Sequence, residues 1–313
     1  MTGAAEANHA LISREEFDRL FEAVKNWGRW GPDDERGTLN YITPEHVRAA
    51  AALVRSGQSV SLAVPIRTEV DPENPRPALH YMIHTREIDT GEPRWNQDFI
   101  GIEYHGESQS HIDALCHCLY RDQLYNHIPP TSVTSKGASR GGIGVAEHGI
   151  VGRGVLLDIP RLRGVAWLEP GTAVTTEELE AAETAQGLQV GEGDILLLRT
   201  GHHRRRVELG PWPSWESSSS LHVRAMLWLH QRRVSALGAD SDNEVNPSPV
   251  ECLVSPIHAL AIPAMGMHLL DTLQLEDLAT LCAAEHRWAF QLVVAPLRLP
   301  VATGSPVNPI AIF

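Results

Sequence analysis

The sequence predicts an α/β protein built on a mixed β-sheet. Three short apolar runs, at 155–159, 193–201 and 234–240, read as buried strands. Between them, the segments 176–186 and 220–232 have the spacing of helices. Strands that alternate with helices in this way indicate the α/β class.

The N-terminal part of the chain is predicted to be mainly helical. Segment 12–24 has helical apolar spacing, and a capping box opens at Ser13. A second helix is predicted over 43–55, with proline at its first position. Segment 59–66 alternates as a strand, and 71–77, rich in proline and charge, is expected to be a loop that can reach over a site.

Length and composition favour one large domain with a helical extension. The chain has 313 residues, of which 42% are hydrophobic, so it can bury a large core. The pattern shows no clean linker. We therefore expect an N-terminal helical segment, 1–58, packed on a main domain of 59–313.

The charge of the chain restricts its partners. A formal charge of −13 disfavours binding to nucleic acid or to an anionic membrane, so a small molecule is the expected partner. No run of eighteen apolar residues occurs, and the first residues lack the apolar core of a signal peptide. The four cysteines form no Cys-x-x-Cys motif and are expected to be reduced. We expect a cytoplasmic protein.

The segment 110–117, Ser-His-Ile-Asp-Ala-Leu-Cys-His, is the most informative part of the sequence. Residues two apart on a strand face the same side, so His111 and Asp113 would point together. From Asp113 onward the residues favour a helix, with Asp113 as its cap and His117 on the same face. A continuous strand would separate His111 from His117 by about 20 Å, at roughly 3.3 Å per residue, so the chain must turn near Asp113.

Histidine and carboxylate ligands of this kind suit a divalent metal, either Zn²⁺ or Mn²⁺. Protein ligands on one side only would leave positions open for water and substrate, as in a catalytic site. The pattern His-x-Asp is short, and a second interpretation stays open. In that interpretation His111 is a core histidine whose ring nitrogens are hydrogen-bonded within the protein, and Asp113 is only a helix cap.

This motif resembles the metal motif of the Putative cyclase family, metal-dependent hydrolases that include bacterial kynurenine formamidase and isatin hydrolase. The family pattern is His-x-Gly-Thr-His-x-Asp-x-Pro-x-His. Four residues fall on its threonine, second histidine, aspartate and last histidine: Ser110, His111, Asp113 and His117. The resemblance extends to Trp30–Asn40 near the N-terminus and to 305–309 near the end.

Two residues compete for the first histidine of the pattern. Glu107 stands at that position in register, whereas His105 would need a local shift of two residues. We favour His105, because Tyr104 and Gly106 fit a strand end that can bulge. The resemblance also implies a second metal, held by His258 and by Asp271 in place of a bridging glutamate. One or two ions are thus expected.

The resemblance further implies a swivelling β/β/α cyclase-like fold with a mixed, partly barrel-like sheet, and a homodimer or homotetramer. It implies hydrolysis of an N-formyl or cyclic amide, or of a lactone, in a small aromatic molecule. A bound cation would lower the pKa of water from 15.7 towards about 7. His117 would then act as acid and base. Trp30, Trp95 and Tyr125 are predicted to line the aromatic pocket.

Two other functions compete with this prediction. The segment 106–110 resembles a nucleophile elbow, with Ser108 as the nucleophile of a serine hydrolase, although Ser110 replaces its final glycine. The same fold could also serve a cyclase or another non-hydrolytic biosynthetic enzyme.

Overall fold

The computed structural model describes residues 11–87, 90–106 and 108–313. Within these residues, helices α1 to α8 cover Arg14–Ala23, Pro44–Ala51, Ile159–Arg163, Thr176–Gln186, His202–Leu209, Ala225–Arg232, Pro256–Ala259 and Glu276–Glu285. A π-helical turn, Leu260–Met265, follows α7. Short 3₁₀ turns cover Gly37–Tyr41, Tyr125–His127, Pro130–Ser132 and Ile143–Ala146.

The strands are numbered β1 to β15 along the described chain. They cover Ser59–Ser61, Leu79–His84, Gln97–Gly101, His111–Asp113, Val133–Thr134, Gly137–Ala138, Ile150–Asp158, Ala173–Val174, Ile195–Arg199, Ser220–Leu221, Ala236–Ala239, His268–Asp271, Ala289–Val294, Gly304–Pro306 and Ile310–Ile312.

A mixed sheet that curls into a half-barrel dominates the fold. Among the described residues it has nine strands, in the order β1-β15-β13-β7-β9-β11-β12-β4-β14. The four strands β7, β9, β11 and β12 run parallel, and the strands on either side of them pair antiparallel. This architecture confirms the predicted α/β class and its partly barrel-like sheet.

Local sequence signals explain several element boundaries. The Ser13 side chain accepts a hydrogen bond from the backbone N–H of Glu16 and so caps α1. Helix α4 begins after the capping box of Thr175 and Glu178, and it ends at Gly187, whose left-handed backbone favours glycine. Its span is the predicted 176–186.

Other elements are shorter than predicted because tertiary pairing overrides the local pattern. The helix expected over 43–55 ends at Ala51, and the strand expected over 59–66 is regular only through Ser61. The helix expected to begin at Ser220 begins at Ala225 instead. Ser220 and Leu221 form strand β10 with β8, and that pairing takes their backbone out of the helical conformation.

The helix predicted to start at Asp113 is absent, and that prediction is wrong. Strand β4 ends at Asp113, and the backbone N–H of His117 then closes a turn onto Ala114 O at 3.0 Å. The next N–H groups bond to other segments, as when Cys116 N donates to Gly141 O at 2.9 Å. The expected change of direction near Asp113 does occur, but it is a turn.

Two apolar clusters pack on the two faces of the sheet. Phe17 and Phe21 of α1 are buried in the same cluster as Leu260 and Leu269, so the N-terminal segment packs on the body of the fold. No helix in the described ranges is long and apolar enough to span a bilayer.

Candidate metal centre

Four imidazoles and two carboxylates meet where β4 lies against the carboxyl end of β12. His105 Nδ1 lies 2.9 Å and His111 Nε2 3.6 Å from Asp113 Oδ1. On the other side, His117 Nε2 and His258 Nε2 lie 3.8 and 3.5 Å from Asp113 Oδ2. Asp113 therefore lies between two pairs of histidines.

The carboxylate of Asp113 is the strongest sign of a cation-binding site. Its side chain is completely buried, and neither oxygen is satisfied by a well-aligned hydrogen bond from the described residues. An unsatisfied buried carboxylate is costly. His105, His111 and Asp113 offer ligand atoms within 4.8 Å of one another, as do Asp113, His117 and His258. These nitrogen and oxygen donors fit Zn²⁺ or Mn²⁺.

Asp271 supplies the second carboxylate of the cluster. It faces His111 in the register of β12 with β4. Its Oδ2 lies 3.5 Å from Nε2 of both His111 and His258. The Asn243 side chain donates to Oδ1 of Asp271, which leaves Oδ2 directed at the histidines. The structure thus brings Asp271 into the site predicted for it.

Hydrogen bonds orient two of the imidazoles for ligation. His111 Nδ1 donates to the backbone oxygen of Gln109 at 2.8 Å, and His258 Nδ1 donates to Glu244 Oε1 at 2.8 Å. When each ring is neutral, its bond selects the tautomer in which Nε2 carries the lone pair. Both Nε2 atoms point at the carboxylates, as expected of metal-binding histidines whose other ring nitrogen is fixed by a hydrogen bond.

His105 lies in the cluster, stacked on His117 with ring centroids 3.8 Å apart. Its Nε2 lies 2.9 Å from Thr303 Oγ1, so Nδ1 is the atom that faces Asp113. A Cβ on Gly304 would come within 2.9 Å of His105 Cε1 and 2.4 Å of Ile112 O. Glycine at 304 therefore makes room for the His105 ring. The competing candidate, Glu107, lies outside the described residues.

The acids and bases of the cluster shift one another's pKa values. Burial acts to raise the pKa of Asp113, but the histidines around it, led by His105 and His258, hold that pKa well below its usual range. Burial acts to lower the pKa of His258, yet Asp113, Asp271 and Glu244 raise it well above the ordinary value. For His117 burial dominates and lowers the pKa to about 4, so this ring is neutral at pH 7.

Comparison with known proteins places these residues in a family. The model of the Putative cyclase family matches residues 60–243. The chain belongs to the Putative cyclase family. The segment that carries His258 and Asp271 lies beyond the matched residues, so their place in the site rests on the geometry described above.

Solved structures agree with this membership. A structure described as a novel cyclase is 33% identical, with a TM-score of 0.85, over 94% of this chain and 99% of that one. Isatin hydrolase A from Labrenzia aggregata is 19% identical, with a TM-score of 0.56, over 84% and 94% of the two chains. A predicted metal-dependent hydrolase from Bacillus stearothermophilus is 15% identical, with a TM-score of 0.51, over 81% and 97%. The last two share the fold. No curated protein matches the chain.

In this cyclase-family chain a cavity of about 210 Å³ opens at His105. Its described lining consists of Glu73, Pro75, Arg76, Glu103, His105, Gly106, Ser108 and Trp215. The proline-rich loop predicted over 71–77 does reach over the site. Sequence reasoning missed Trp215 and Arg76, because no motif or spacing connects them to the histidines.

The three aromatic residues predicted to bind substrate do not line this cavity. Tyr125 is fully buried, and its hydroxyl donates to Asp34 Oδ2 at 3.0 Å, so it supports the loop of residues 28–36. Trp30 packs edge-to-face on Tyr41, with centroids 5.0 Å apart. Trp95 is 62% exposed between β2 and β3. Their role in substrate binding stays a prediction.

The described residues around Ser108 do not form a nucleophile elbow. Such an elbow needs a strand, a sharp turn and a helix, with the serine at the turn. Ser108 lies instead in a turn that leads into strand β4. The nearby His111 makes its Nδ1 hydrogen bond to Gln109 O. The geometry around Ser108 thus lacks the framework of a serine hydrolase.

Proposed function

We propose that this protein is a metal-dependent hydrolase that cleaves an amide or lactone bond of a small aromatic molecule. The observation that carries the proposal is the buried, unsatisfied carboxylate of Asp113 between two pairs of histidines. When bound, a divalent cation supplies Lewis acidity to an attacking water and to a substrate carbonyl. His105, His111 and Asp113 would hold one ion, and His258 and Asp271 would help to hold a second.

His117 is proposed as the acid and base. Burial keeps its ring neutral at pH 7, and its Nε2 lies 3.8 Å from Asp113 Oδ2, within the cluster of candidate ligands. It can accept the proton of the attacking water and return it to the departing nitrogen or oxygen. His117 also offers a ligand atom within 4.8 Å of those of Asp113 and His258. Its competing role is therefore that of a metal ligand.

The cavity indicates a small substrate. Its volume of about 210 Å³ is below the roughly 300–1,000 Å³ of sites for drug-sized ligands. Trp215 offers a ring on which an aromatic substrate can stack. Arg76, another lining residue, pairs with Glu103 at 2.7 Å and can turn its guanidinium towards a carbonyl or carboxylate. The shared fold with isatin hydrolase A supports an aromatic substrate.

A cytoplasmic location is proposed with this activity, since the cysteines are unpaired.

Hydrolysis assays before and after removal of metal test the proposal. A panel of N-formyl arylamines, cyclic aromatic amides and aromatic lactones is incubated with the purified protein, then with protein dialysed against a chelator. Activity should fall at least tenfold on chelation and return with Zn²⁺ or Mn²⁺, and Ser108→Ala should keep it. Activity that survives chelation but is abolished by a serine-directed phosphonate would contradict the proposal.

A cyclase activity is the second candidate, favoured by the 33% identical structure described as a novel cyclase. The two reactions differ in the fate of water. Hydrolysis in ¹⁸O-labelled water places the label in the product, whereas ring closure with loss of water does not. Mass spectrometry of the product therefore distinguishes them.

A further inference from the structure

A second cavity, here called the chamber, shares Glu73 with the cavity at His105, but its lining includes none of the candidate metal ligands. Its volume is about 270 Å³. Its described lining consists of Val64, Pro65, Arg67, Glu73, His202, His203, Arg206, Asp240 and Thr272. Four of the polar side chains are less than a tenth exposed: Glu73, His202, Asp240 and Thr272. Polar groups buried in this way cost free energy unless each finds a partner.

The carboxylate of Asp240 is fully used within the protein. Its Oδ1 accepts hydrogen bonds from the backbone N and from Oγ1 of Thr200, each at 2.8 Å. Its Oδ2 accepts from the backbone N–H groups of Gly201 and His202 at 2.7 and 3.1 Å. Asp240 thereby closes the N-terminus of α5, and neither of its oxygens needs a ligand.

The carboxylate of Glu73 is used in the same way. Its Oε1 lies 2.8 Å from His202 Nε2, and its Oε2 accepts from Arg206 Nε and, at 3.2 Å, from Arg67 Nη1. Burial acts to raise the pKa of Glu73, but His202 and the two arginines hold that pKa below its ordinary value. Asp71 Oδ2 accepts from the same arginines at 3.0 and 2.9 Å. Two guanidinium groups thus face two carboxylates.

The hydroxyl of Thr272 has no such partner. Its Oγ1 is buried and makes no hydrogen bond to the described residues. The backbone of Thr272 has a φ of +56°, which a β-branched residue adopts only where its surroundings hold it. Here its N–H donates to Ser241 O at 2.8 Å, and its carbonyl oxygen accepts from Ser110 Oγ at 2.6 Å. These two bonds fix the position of the unpaired hydroxyl.

Further donors line the chamber. The ring of His203 makes no hydrogen bond within the described part of the chain. Burial, helped by the charge of Arg206, lowers the pKa of His203, so the ring is neutral at pH 7 and one nitrogen carries a hydrogen. The bonds to Asp71 and Glu73 also leave Arg67 Nη2 and Arg206 Nη1 unused. Donors are therefore in excess, while the carboxylate acceptors are spent.

We propose that the chamber binds a small uncharged molecule through a carbonyl oxygen, such as that of an amide, a lactone or a ketone. The groups without a partner can donate, so the ligand has to supply an acceptor. The charges of the two arginines are already balanced by Asp71 and Glu73. A carboxylate ligand would add a negative charge beside Glu73 and Asp240, and this cost favours a neutral ligand.

The size and the apolar walls of the chamber suit such a molecule. Val64 and Pro65 give its carbon skeleton a surface to pack on. The volume of about 270 Å³ is several times the roughly 30 Å³ that one water occupies in the liquid. It lies just below the lower limit, about 300 Å³, of sites for drug-sized ligands. We therefore expect a ligand built on one small ring.

Titration with N-methylpyrrolidone, followed by saturation-transfer NMR, tests the proposal on the full chain. This lactam has a carbonyl oxygen, a small apolar ring and no N–H to donate, and cyclopentanecarboxylate is its charged comparison. Thr272→Val removes the hydroxyl at nearly constant shape, whereas Thr272→Ser keeps it. His203→Phe replaces the imidazole with a ring that has no N–H. Asp113→Asn separates the chamber from the metal centre, since binding in the chamber requires neither metal nor hydrolysis.

The wild type should bind the lactam saturably and more tightly than the carboxylate. Thr272→Val and His203→Phe should each weaken binding about fivefold, as expected for one lost hydrogen bond. Thr272→Ser and Asp113→Asn should stay within about twofold of the wild type. Circular dichroism checks folding, and if Thr272→Val does not fold, His203→Phe, on a separate element, decides.

Three results would overturn the proposal. The first is an absence of saturable binding, or an unchanged affinity in both Thr272→Val and His203→Phe, since water alone would then satisfy the chamber. The second is tighter binding of cyclopentanecarboxylate than of the lactam. The third is loss of lactam binding in Asp113→Asn, because the probe would then occupy the metal centre.

Discussion

His268 donates a hydrogen bond from Nδ1 to the backbone oxygen of Asp113 at 2.7 Å. The bond ties the first residue of β12 to the last residue of β4, where the candidate metal ligands converge. His268 is completely buried, and burial lowers its pKa to about 4. The ring is therefore neutral at pH 7 and holds the strand end that carries Asp113.

This buried imidazole makes stability depend on pH. The unfolded chain binds a proton on His268 near pH 6.5, whereas the folded chain does so only near pH 4. The contribution of His268 to the free energy of unfolding is therefore fully present above about pH 6.5. It is lost as the pH falls towards 4, by up to roughly 3 kcal/mol. Urea unfolding between pH 7.5 and 4.5 should show a smaller loss for His268→Gln than for the wild type. Identical slopes in the two proteins would refute this assignment.

Glu244 should tune the affinity for metal through His258. Its Oε1 accepts hydrogen bonds from both the backbone N and the Nδ1 of His258, each at 2.8 Å. Glu244→Gln keeps an acceptor but removes the negative charge, and we expect metal affinity to fall by about 10–100-fold. Competition with a chromophoric chelator measures this, with the exposed Glu251→Gln as the matched control. An affinity within twofold of the wild type would exclude such a role.

The role of His117 can be separated from that of a ligand. As an acid and base, its loss in His117→Gln should lower kcat by about 10²–10⁴ while the metal content stays unchanged. The acidic limb of the kcat/KM profile should also change, because the essential base is gone. If His117→Gln instead releases metal in proportion to the lost activity, His117 is a ligand and the acid and base must be sought elsewhere.

Gly304 should be required for the position of His105. A Cβ at this residue would lie 2.4 Å from Ile112 O and 2.9 Å from His105 Cε1, so Gly304→Ala forces backbone or ring to move. We expect a loss of about 1–3 kcal/mol in the free energy of unfolding and weaker metal binding. Gly191→Ala is the control, because a Cβ there meets nothing within 4 Å. Equal stability and metal affinity in both variants would contradict the expected crowding.

Short-range patterns predicted the fold class and the centre of the site. The period of the apolar residues located the strands of the parallel core, and the two-residue spacing of His111 and Asp113 placed both on one side of β4. Local preference failed where pairing with distant segments decides the backbone. Asp113 lies between β12 and β14, and those long-range partners produce a turn in place of the predicted helix.

The surroundings of the site could not be read from the sequence. Asn243 and His268 act through contacts between residues 28 and 155 positions apart in the chain. Trp215 reaches the cavity from a loop with no distinctive pattern, whereas Trp30 and Tyr125 are used in packing. Such roles depend on tertiary neighbours, which composition and periodicity do not encode.

Elemental analysis of the purified protein and of Asp113→Asn tests the central claim most directly. The substitution keeps the size of the side chain but removes the charge that the two pairs of histidines surround. The wild type should carry one or two equivalents of zinc or manganese per chain, His258→Ala should carry fewer, and Asp113→Asn should carry none. Asp113→Asn with the full metal content of the wild type would contradict the account. A metal-free wild type that gains no thermal stability from either ion would contradict it equally.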